Sequence, residues 1–147
     1  MRVLPGFAVL FALALSACGG IEFLDKGEGY NPGADPLVQA HFERLLNEQE
    51  IAYQRDYQGN YRAIKKNQQD NLERIGARAQ SLEPGRESLR VSPGCAADRL
   101  KAYLLENDAL YVVSREQEGA FVQMTESDFA QLAVAARYQG FQEDCVN

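Results

Sequence analysis

The sequence predicts an α+β protein in which two tandem helix–β-hairpin–helix units form one four-stranded antiparallel sheet with helices on one face. Stretches with the apolar spacing of a helix alternate along the chain with short strand-like runs around polar turns. A shift of sixty residues also brings the turn, hairpin and helix patterns of the two halves into register. Because a unit of about 50 residues buries only a marginal core by itself, we expect the two hairpins to pair.

The first unit is predicted to begin at Pro36. Apolar residues recur at helical spacing before and after a pair of short runs that are typical of strands. The sequence Glu83-Pro84-Gly85 then ends the second helical stretch. The predicted elements are a helix over residues 36–49, a strand over 51–56, a turn over 57–60, a strand over 61–64 and a helix over 68–81.

The second unit is more apolar and follows the same order. Its first helix ends near Asn107, and Thr125 with Asp128 forms a capping box at the start of its last helix. Phe129, Leu132 and Ala136 share one face of that last helix. Between the helices, the sequence predicts a strand over residues 109–115, a turn over 116–119 and a strand over 120–124.

The two units superpose without a gap when the first is shifted by sixty residues. This alignment predicts pseudo-repeats over about residues 36–85 and 95–145. It places Leu45 on Leu105, Arg55 on Arg115, Gly59 on Gly119, Tyr61 on Phe121 and Ile64 on Met124.

Composition and charge limit the classes of partner. The 147 residues include 15 Lys+Arg and 21 Asp+Glu, which gives a formal net charge of -6. A nucleic-acid partner is therefore not expected, because phosphate binding needs a concentrated cationic face. With 46% hydrophobic residues, the chain is too apolar to be disordered throughout.

The first residues have the order of a secretory signal. Arg2 supplies one positive charge, an apolar run covers residues 3–15, and small residues follow. Leu15-Ser16-Ala17-Cys18 resembles the lipobox of bacterial lipoproteins. The resemblance implies that residues 1–17 are removed and that Cys18 becomes the acylated first residue of the mature chain.

The resemblance also implies an anchor and a location. Several acyl chains on Cys18 give stable membrane attachment. Gly19 stands where an Asp tends to retain lipoproteins at the inner membrane, so in a Gram-negative bacterium we expect an outer-membrane anchor with the protein facing the periplasm. Inner-membrane or Gram-positive attachment is the alternative. The glycine-rich residues 18–35 form a flexible tether, and residues 36–147 form a single domain.

The two remaining cysteines predict a disulfide. Cys95 and Cys145 form an even pair, and a secreted chain meets an oxidising environment. The pair lies just before the first helix and just after the last helix of the second unit, at ends that should meet. A redox-active or metal-binding pair is the alternative, although neither cysteine belongs to a C-x-x-C sequence.

Catalytic chemistry has little sequence support. His41 is the only histidine, and no metal-ligand, phosphate-binding or nucleophile motif is present. We expect no catalytic residues, no metal and no cofactor. The one feature above background is a set of aromatic and cationic residues around the first hairpin, which suits contact with proteins or glycans. Its members are Tyr53, Arg55, Tyr57, Tyr61 and Arg62. The alternative is a structural role, because tyrosines suit strands and half-buried faces in general.

These observations favour a lipid-anchored, non-catalytic binding or adaptor module that faces the periplasm. Its partner would be another envelope protein or peptidoglycan, met by the open sheet face or by the aromatic residues of the first hairpin. The alternative is a small inhibitor or immunity-type lipoprotein directed against an envelope-acting toxin or hydrolase. The sequence does not identify the partner or the oligomeric state.

Overall fold

A computed structural model describes residues 29–116 and 119–146. The signal sequence, Cys18 and most of the tether lie outside the described residues. Gln117, Glu118 and Asn147 also lie outside them.

The described residues form five α-helices and two antiparallel sheets. The first half contains α1 (Pro36–Glu48), β1 (Tyr53–Arg55), β2 (Tyr61–Ala63), a single 3-10 turn (Lys66–Gln68) and α2 (Gln69–Gln80). The second half contains β3 (Arg86–Val91), α3 (Cys95–Glu106), β4 (Val112–Glu116), β5 (Gly119–Thr125), α4 (Glu126–Gln131) and α5 (Val134–Val146). Strands β1 and β2 form one sheet, and the other has the order β3-β5-β4.

The prediction of one four-stranded sheet is wrong. Strand β5 pairs with β4 on one side and with β3 on the other, so neither of its edges is open to the first hairpin. Strand β3 covers residues 86–91, for which the sequence predicted no element. The buried Val91 and the partly buried Leu89 lie on one face of this strand, and the exposed Ser88 and Arg90 lie on the other. Each half therefore builds a sheet of its own.

The first hairpin also has a partner that precedes its helix. Tyr30 forms an isolated antiparallel bridge with Tyr61, with backbone N–O distances of 2.9 and 2.7 Å. In the second half Val91 pairs with Ala120 in the same sense. Both halves thus have an extended segment before the first helix that pairs with the second strand of the hairpin, and each unit starts earlier than the predicted boundaries at residues 36 and 95.

The turn between this first strand and the helix is similar in the two units. Tyr30 is followed by Asn31-Pro32-Gly33, and Val91 is followed by Ser92-Pro93-Gly94. Gly33 has φ 104° and Gly94 has φ 137°, a backbone conformation that L side chains rarely adopt. The matching turns support the prediction that the halves are related. The number of residues between corresponding positions is not constant, however, and differs from one element to the next.

Helices α1 and α3 correspond at a shift of fifty-eight residues rather than sixty. Both end in a left-handed residue, Glu50 (φ 54°) and Asp108 (φ 51°), and both close with the hydrogen bonds of a Schellman motif. The superposition of Leu45 on Leu105 is therefore wrong. Leu45 is 2% exposed, whereas Leu105 is 62% exposed. Two additional residues separate Asp108 from Arg115 in the second unit, compared with Glu50 and Arg55 in the first.

Each unit has its own hydrophobic core. The first is built around Phe42, Tyr61 and Leu72, and the second around Leu104 and Met124. Several polar contacts join the units, among them two made by arginine side chains. The Arg86 guanidinium lies 2.9 Å from the Asp35 carboxylate, and the Arg44 guanidinium donates to the carbonyl oxygen of Asp108 at 3.1 Å.

The last helix is interrupted, unlike the predicted one. Thr125 caps α4 by accepting a hydrogen bond from the backbone N–H of Asp128 at 3.2 Å, which confirms the predicted cap. The chain then turns at Ala133 (φ 48°) before α5 begins. Among the described residues, no helix has both the length and the apolar character that crossing a bilayer requires.

The predicted disulfide is present and braces the second unit. Cys95 and Cys145 are bonded, with their Cα atoms 6.0 Å apart. Cys95 is the first residue of α3, but Cys145 lies within the last turn of α5 rather than after it. The bond joins the two helices that cover the second sheet.

Candidate functional site

The aromatic residues of the first hairpin do not form one exposed surface. Tyr61 is completely buried in the first core, and Tyr53 packs partly buried against the same core. Tyr57 at the hairpin turn is 94% exposed. A contact surface that includes Tyr61 is therefore excluded by its burial, and Tyr57 is the ring of this set that is open to solvent.

The cationic residues around this hairpin are engaged in contacts within the unit. The Arg55 guanidinium lies 5.2 Å from the centre of the Tyr61 ring and donates to Gln39 Oε1 at 2.8 Å. The Arg62 guanidinium lies 4.0 Å from the Asp56 carboxylate. A partner that used these groups would have to replace contacts that already exist.

Glu43 completes a closed arrangement over the first core. The hydroxyl of Tyr61 donates to Glu43 Oε1 at 2.6 Å, and the Arg55 guanidinium lies 3.7 Å from the same oxygen. Burial, and then the hydrogen bond to Glu43, raise the pKa of Tyr61 well above its ordinary value. The phenol is thus a buried neutral donor, and no opening remains above it.

The second unit has an open cleft between α3 and the sheet. Its volume is about 900 Å³. The apolar floor includes Val113, Ala120 and Val122, and Val113 is 52% exposed. Charged side chains at the rim come from α3 and from the end of β4. They are Asp98, Lys101, Arg115 and Glu116.

The cleft lies where the first unit holds its aromatic cluster. Tyr61 pairs with Arg55 in the first hairpin, and Ala120 pairs with Arg115 in the second. The bridge from Tyr30 to Tyr61 corresponds to the pairing of Val91 with Ala120. The predicted superposition of Tyr61 on Phe121 is therefore off by one residue, because Phe121 lies on the opposite face of β5.

Four aromatic residues of the first unit have aliphatic counterparts in the second. In the first unit the ring centres lie 5.3 Å apart for Tyr30 and Phe42, 5.0 Å for Phe42 and Tyr61, and 5.5 Å for Tyr53 and Tyr61. Three of the smaller counterparts, Val91, Val113 and Ala120, line the cleft, which also has one aromatic residue of its own, Tyr111. The corresponding positions are Tyr30 and Val91, Phe42 and Leu100, Tyr53 and Val113, and Tyr61 and Ala120.

The rim differs in charge between the units. At the helical shift, Ala97 corresponds to Gln39 and Lys101 corresponds to Glu43. Arg115 stands at the position of Arg55, but its neighbour on the helix is the cation Lys101, whereas the neighbour of Arg55 is the carboxylate Glu43. Within residues 29–116 and 119–146, no salt bridge involves Lys101 or Arg115. The rim therefore carries the cations of Lys101 and Arg115 beside the carboxylates of Asp98 and Glu116, above an apolar floor.

His41 lies away from the cleft, on α1. Burial lowers the pKa of His41 below its ordinary value, and the cations of Arg44 and Arg78 act in the same direction. Its Nδ1 is buried without a hydrogen-bond partner. Among the residues that the structure describes, no group of three or more His, Cys, Asp or Glu side chains is arranged to hold a metal ion.

The chain has no detected relatives. No protein-family model, curated protein or solved structure matches it.

Sequence reasoning missed the cleft because the gapless alignment set the wrong residues against each other. With Tyr61 aligned to Phe121, both units carry an aromatic residue at this position. The strand pairing instead aligns Tyr61 with Ala120. The usable signal was the Pro-Gly pair at Pro32-Gly33 and Pro93-Gly94, which is shifted by sixty-one residues and shows that the two units differ in spacing.

Proposed function

We propose that this protein is a non-catalytic binding module of the bacterial cell envelope, anchored through an acylated Cys18 and facing the periplasm. The observation that carries the proposal is the cleft between α3 and β4. It combines an exposed apolar residue, Val113, with a floor that includes Ala120 and Val122 and a charged rim. Clefts of this size, mostly apolar with a few placed polar groups, are typical of binding sites.

The sequence before the domain supports the envelope location. The lipobox at residues 15–18 and Gly19 favour an outer-membrane anchor. The residues between Cys18 and Gly29, the first described residue, would serve as the tether, which allows the domain to meet a partner beyond the lipid headgroups. The formal net charge of -6 gives no electrostatic attraction to anionic lipid, so attachment depends on the acyl chains. Another envelope protein is the preferred partner.

A site-specific crosslinking experiment tests this proposal. A photoreactive amino acid at Val113 lies at the cleft, and the same amino acid at Ser114 lies on the opposite face of β4. Irradiation of intact cells should give one defined adduct from position 113 and none from position 114. Equal adducts from both positions, or none from either, would contradict a partner in the cleft.

The anchor is tested separately. Palmitate labelling and membrane fractionation of the full chain should show a labelled protein in the outer membrane. The Cys18→Ala variant should lose the label and the membrane association, whereas Cys95→Ser should keep both. Labelling that persists in Cys18→Ala would remove the lipid anchor from the proposal. The inhibitor or immunity-type alternative stays a prediction.

A further inference from the structure

We propose that the cleft receives an aromatic side chain, a tyrosine or a phenylalanine, from a partner protein, seated on Ala120 as the ring of Tyr61 is seated in the first unit. This inference rests on the proposed binding function and adds the chemistry of the occupant. The first unit supplies its own ring at this position, and the second unit has an alanine there. One unit therefore shows what fills the corresponding space of the other.

The arginine that covers the ring in the first unit has a counterpart in the second, whereas the aromatic neighbours of the ring are replaced by aliphatic residues. In the first unit Phe42 contacts the Tyr61 ring edge-on at 5.0 Å, and Arg55 covers it at 5.2 Å. In the second unit the counterpart of Phe42 is the buried Leu100, and Arg115 remains at the counterpart of Arg55. A guanidinium over an aromatic face is attractive. An incoming ring would thus find an apolar floor and a cation.

The polar end of the ring meets different chemistry. The Tyr61 hydroxyl donates a hydrogen bond to the Glu43 carboxylate, whereas Lys101 stands at the corresponding helical position of the second unit. An ammonium group can only donate hydrogen bonds, so an incoming tyrosine hydroxyl would accept there. A phenylalanine would need no polar partner. Lys101 in place of Glu43 therefore permits a tyrosine or a phenylalanine of the partner, and it favours a hydrogen-bond acceptor at the end of that ring.

The size and polarity of the cleft point to a protein. At about 900 Å³, the volume exceeds what one side chain needs and leaves room for the neighbouring residues of a chain segment. A glycan would bring many hydroxyl groups against Val113, Ala120 and Val122, where burial without hydrogen bonds is unfavourable. We therefore choose a protein segment over peptidoglycan.

A titration with a minimal probe tests the inference. The full chain, purified from membranes in detergent and labelled with ¹⁵N, is titrated with N-acetyl-L-tyrosinamide. We expect saturable shifts confined to amides of residues 111–115 and 119–122, with a dissociation constant of about 1 mM, as the efficiency of small ligands allows. N-acetyl-L-leucinamide should bind at least about fivefold more weakly, because it offers no face to Arg115.

Three variants make the result specific. Ala120→Tyr places a ring in the cleft from within and should abolish the shifts, whereas Ser114→Tyr adds the same ring on the other face and should not. Arg115→Gln changes only an exposed side chain and should weaken tyrosinamide binding at least about threefold while leaving leucinamide binding unchanged. The Arg115 variant keeps the test decisive if Ala120→Tyr does not fold.

Other outcomes overturn the inference. Shifts spread over the whole protein, or equal binding of the leucine and tyrosine probes, would show that the cleft does not select a ring. The same amides could also shift when the protein concentration is raised without any probe. If these shifts are lost in Tyr57→Ser, the occupant is the exposed Tyr57 of a second copy of this chain. If position 113 gives its defined adduct in cells but N-acetyl-L-tyrosinamide does not bind the purified protein, the proposal of an aromatic occupant is wrong and the proposed binding function stands.

Discussion

Tyr61 and Ala120 occupy the same position in the two units of this protein. Each lies on the second strand of its hairpin, faces the first helix of its unit and pairs with an arginine on the first strand of that hairpin. The phenol of Tyr61 is completely buried, and the space above Ala120 is an open cleft. The relationship shows how one architecture can be a closed core in one copy and a candidate binding site in the other.

The first prediction concerns the stability that the Tyr61 ring provides. Replacing Tyr61 with Ala removes a fully buried ring from contact with Phe42 and Tyr53, and should lower the free energy of unfolding by about 3–5 kcal/mol. Tyr57→Ala is the matched control, because Tyr57 is 94% exposed and its loss should change the free energy by less than about 0.5 kcal/mol. Urea denaturation followed by far-UV circular dichroism measures both.

The hydroxyl of Tyr61 is tested by the conservative variant. Tyr61→Phe keeps the ring but removes the donor to Glu43, and should cost about 1 kcal/mol. If Tyr61→Ala and Tyr57→Ala destabilise the protein equally, the assignment of Tyr61 to the core is wrong.

Local pattern was sufficient to predict most of the elements. The helical spacing predicted α1 over 36–49, and the helix covers Pro36–Glu48. The first hairpin turn and the cap at Thr125 were also predicted, because each depends on a few neighbouring residues. The predicted second turn over 116–119 is too long, because Glu116 and Gly119 belong to strands, and its central residues lie outside the described ones. The cysteine pair was predicted from count and compartment, and the bond is present.

Long-range pairing decided what the sequence could not predict. Tyr30 and β3 pair with residues that lie about thirty positions or more further along the chain. A single bridge residue such as Tyr30 also shows no alternation of polar and apolar residues from which a strand could be predicted. Because β3 and β4 occupy both edges of β5, the second sheet forms without the first hairpin. The burial of Tyr61 and the openness over Ala120 depend on hairpin register, and a slip of one residue exchanges the faces. The candidate cleft therefore became visible only with the strand pairs known.

The second prediction concerns the disulfide. The bond between Cys95 and Cys145 spans 50 residues and contributes about 4 kcal/mol by constraining the unfolded chain. The double variant Cys95→Ser, Cys145→Ser should unfold at a lower denaturant concentration than the oxidised protein. Reduction should lower the stability of the parent protein and leave the double variant unchanged. Equal midpoints for the oxidised parent and the double variant would contradict a stabilising brace.

The third prediction concerns Asp35, which caps α1 and contacts the second unit. Its carboxylate accepts from the backbone N–H of Leu37 at 2.8 Å and pairs with Arg86 at 2.9 Å. Partial burial raises the pKa of Asp35, but these hydrogen bonds and the Arg86 charge outweigh it and hold the pKa below its ordinary value. Asp35→Ala should therefore cost about 1–2 kcal/mol, mainly through the lost cap.

Asp35→Asn separates the two roles of this carboxylate. Asparagine can still cap a helix but carries no charge for Arg86, so it should destabilise the protein less than alanine does. Thermal unfolding of the three proteins at pH 7 gives the order. An Asn variant as unstable as the Ala variant would assign the effect to the contact with Arg86 and contradict the cap as the main contribution.

The fourth prediction concerns the pH dependence set by His41. Burial, followed by the charges of Arg44 and Arg78, lowers the pKa of this histidine, against the opposing effects of a hydrogen bond with the backbone of Ala79 and of Glu48. The folded protein therefore binds the proton less readily than the unfolded chain. Its contribution to stability is complete above the ordinary histidine pKa of about 6.5 and is lost as the pH falls below that value.

His41→Gln should remove this dependence while keeping a polar side chain of similar reach. Urea midpoints measured from pH 8 to pH 5 should fall for the parent protein and stay flatter for the variant. Asp35 does not confuse the result, because its pKa lies below the ordinary aspartate value of 3.8 and its effect begins at more acidic pH. A parent and a variant that lose stability equally over this range would show that His41 is protonated as easily in the folded protein as in the unfolded chain.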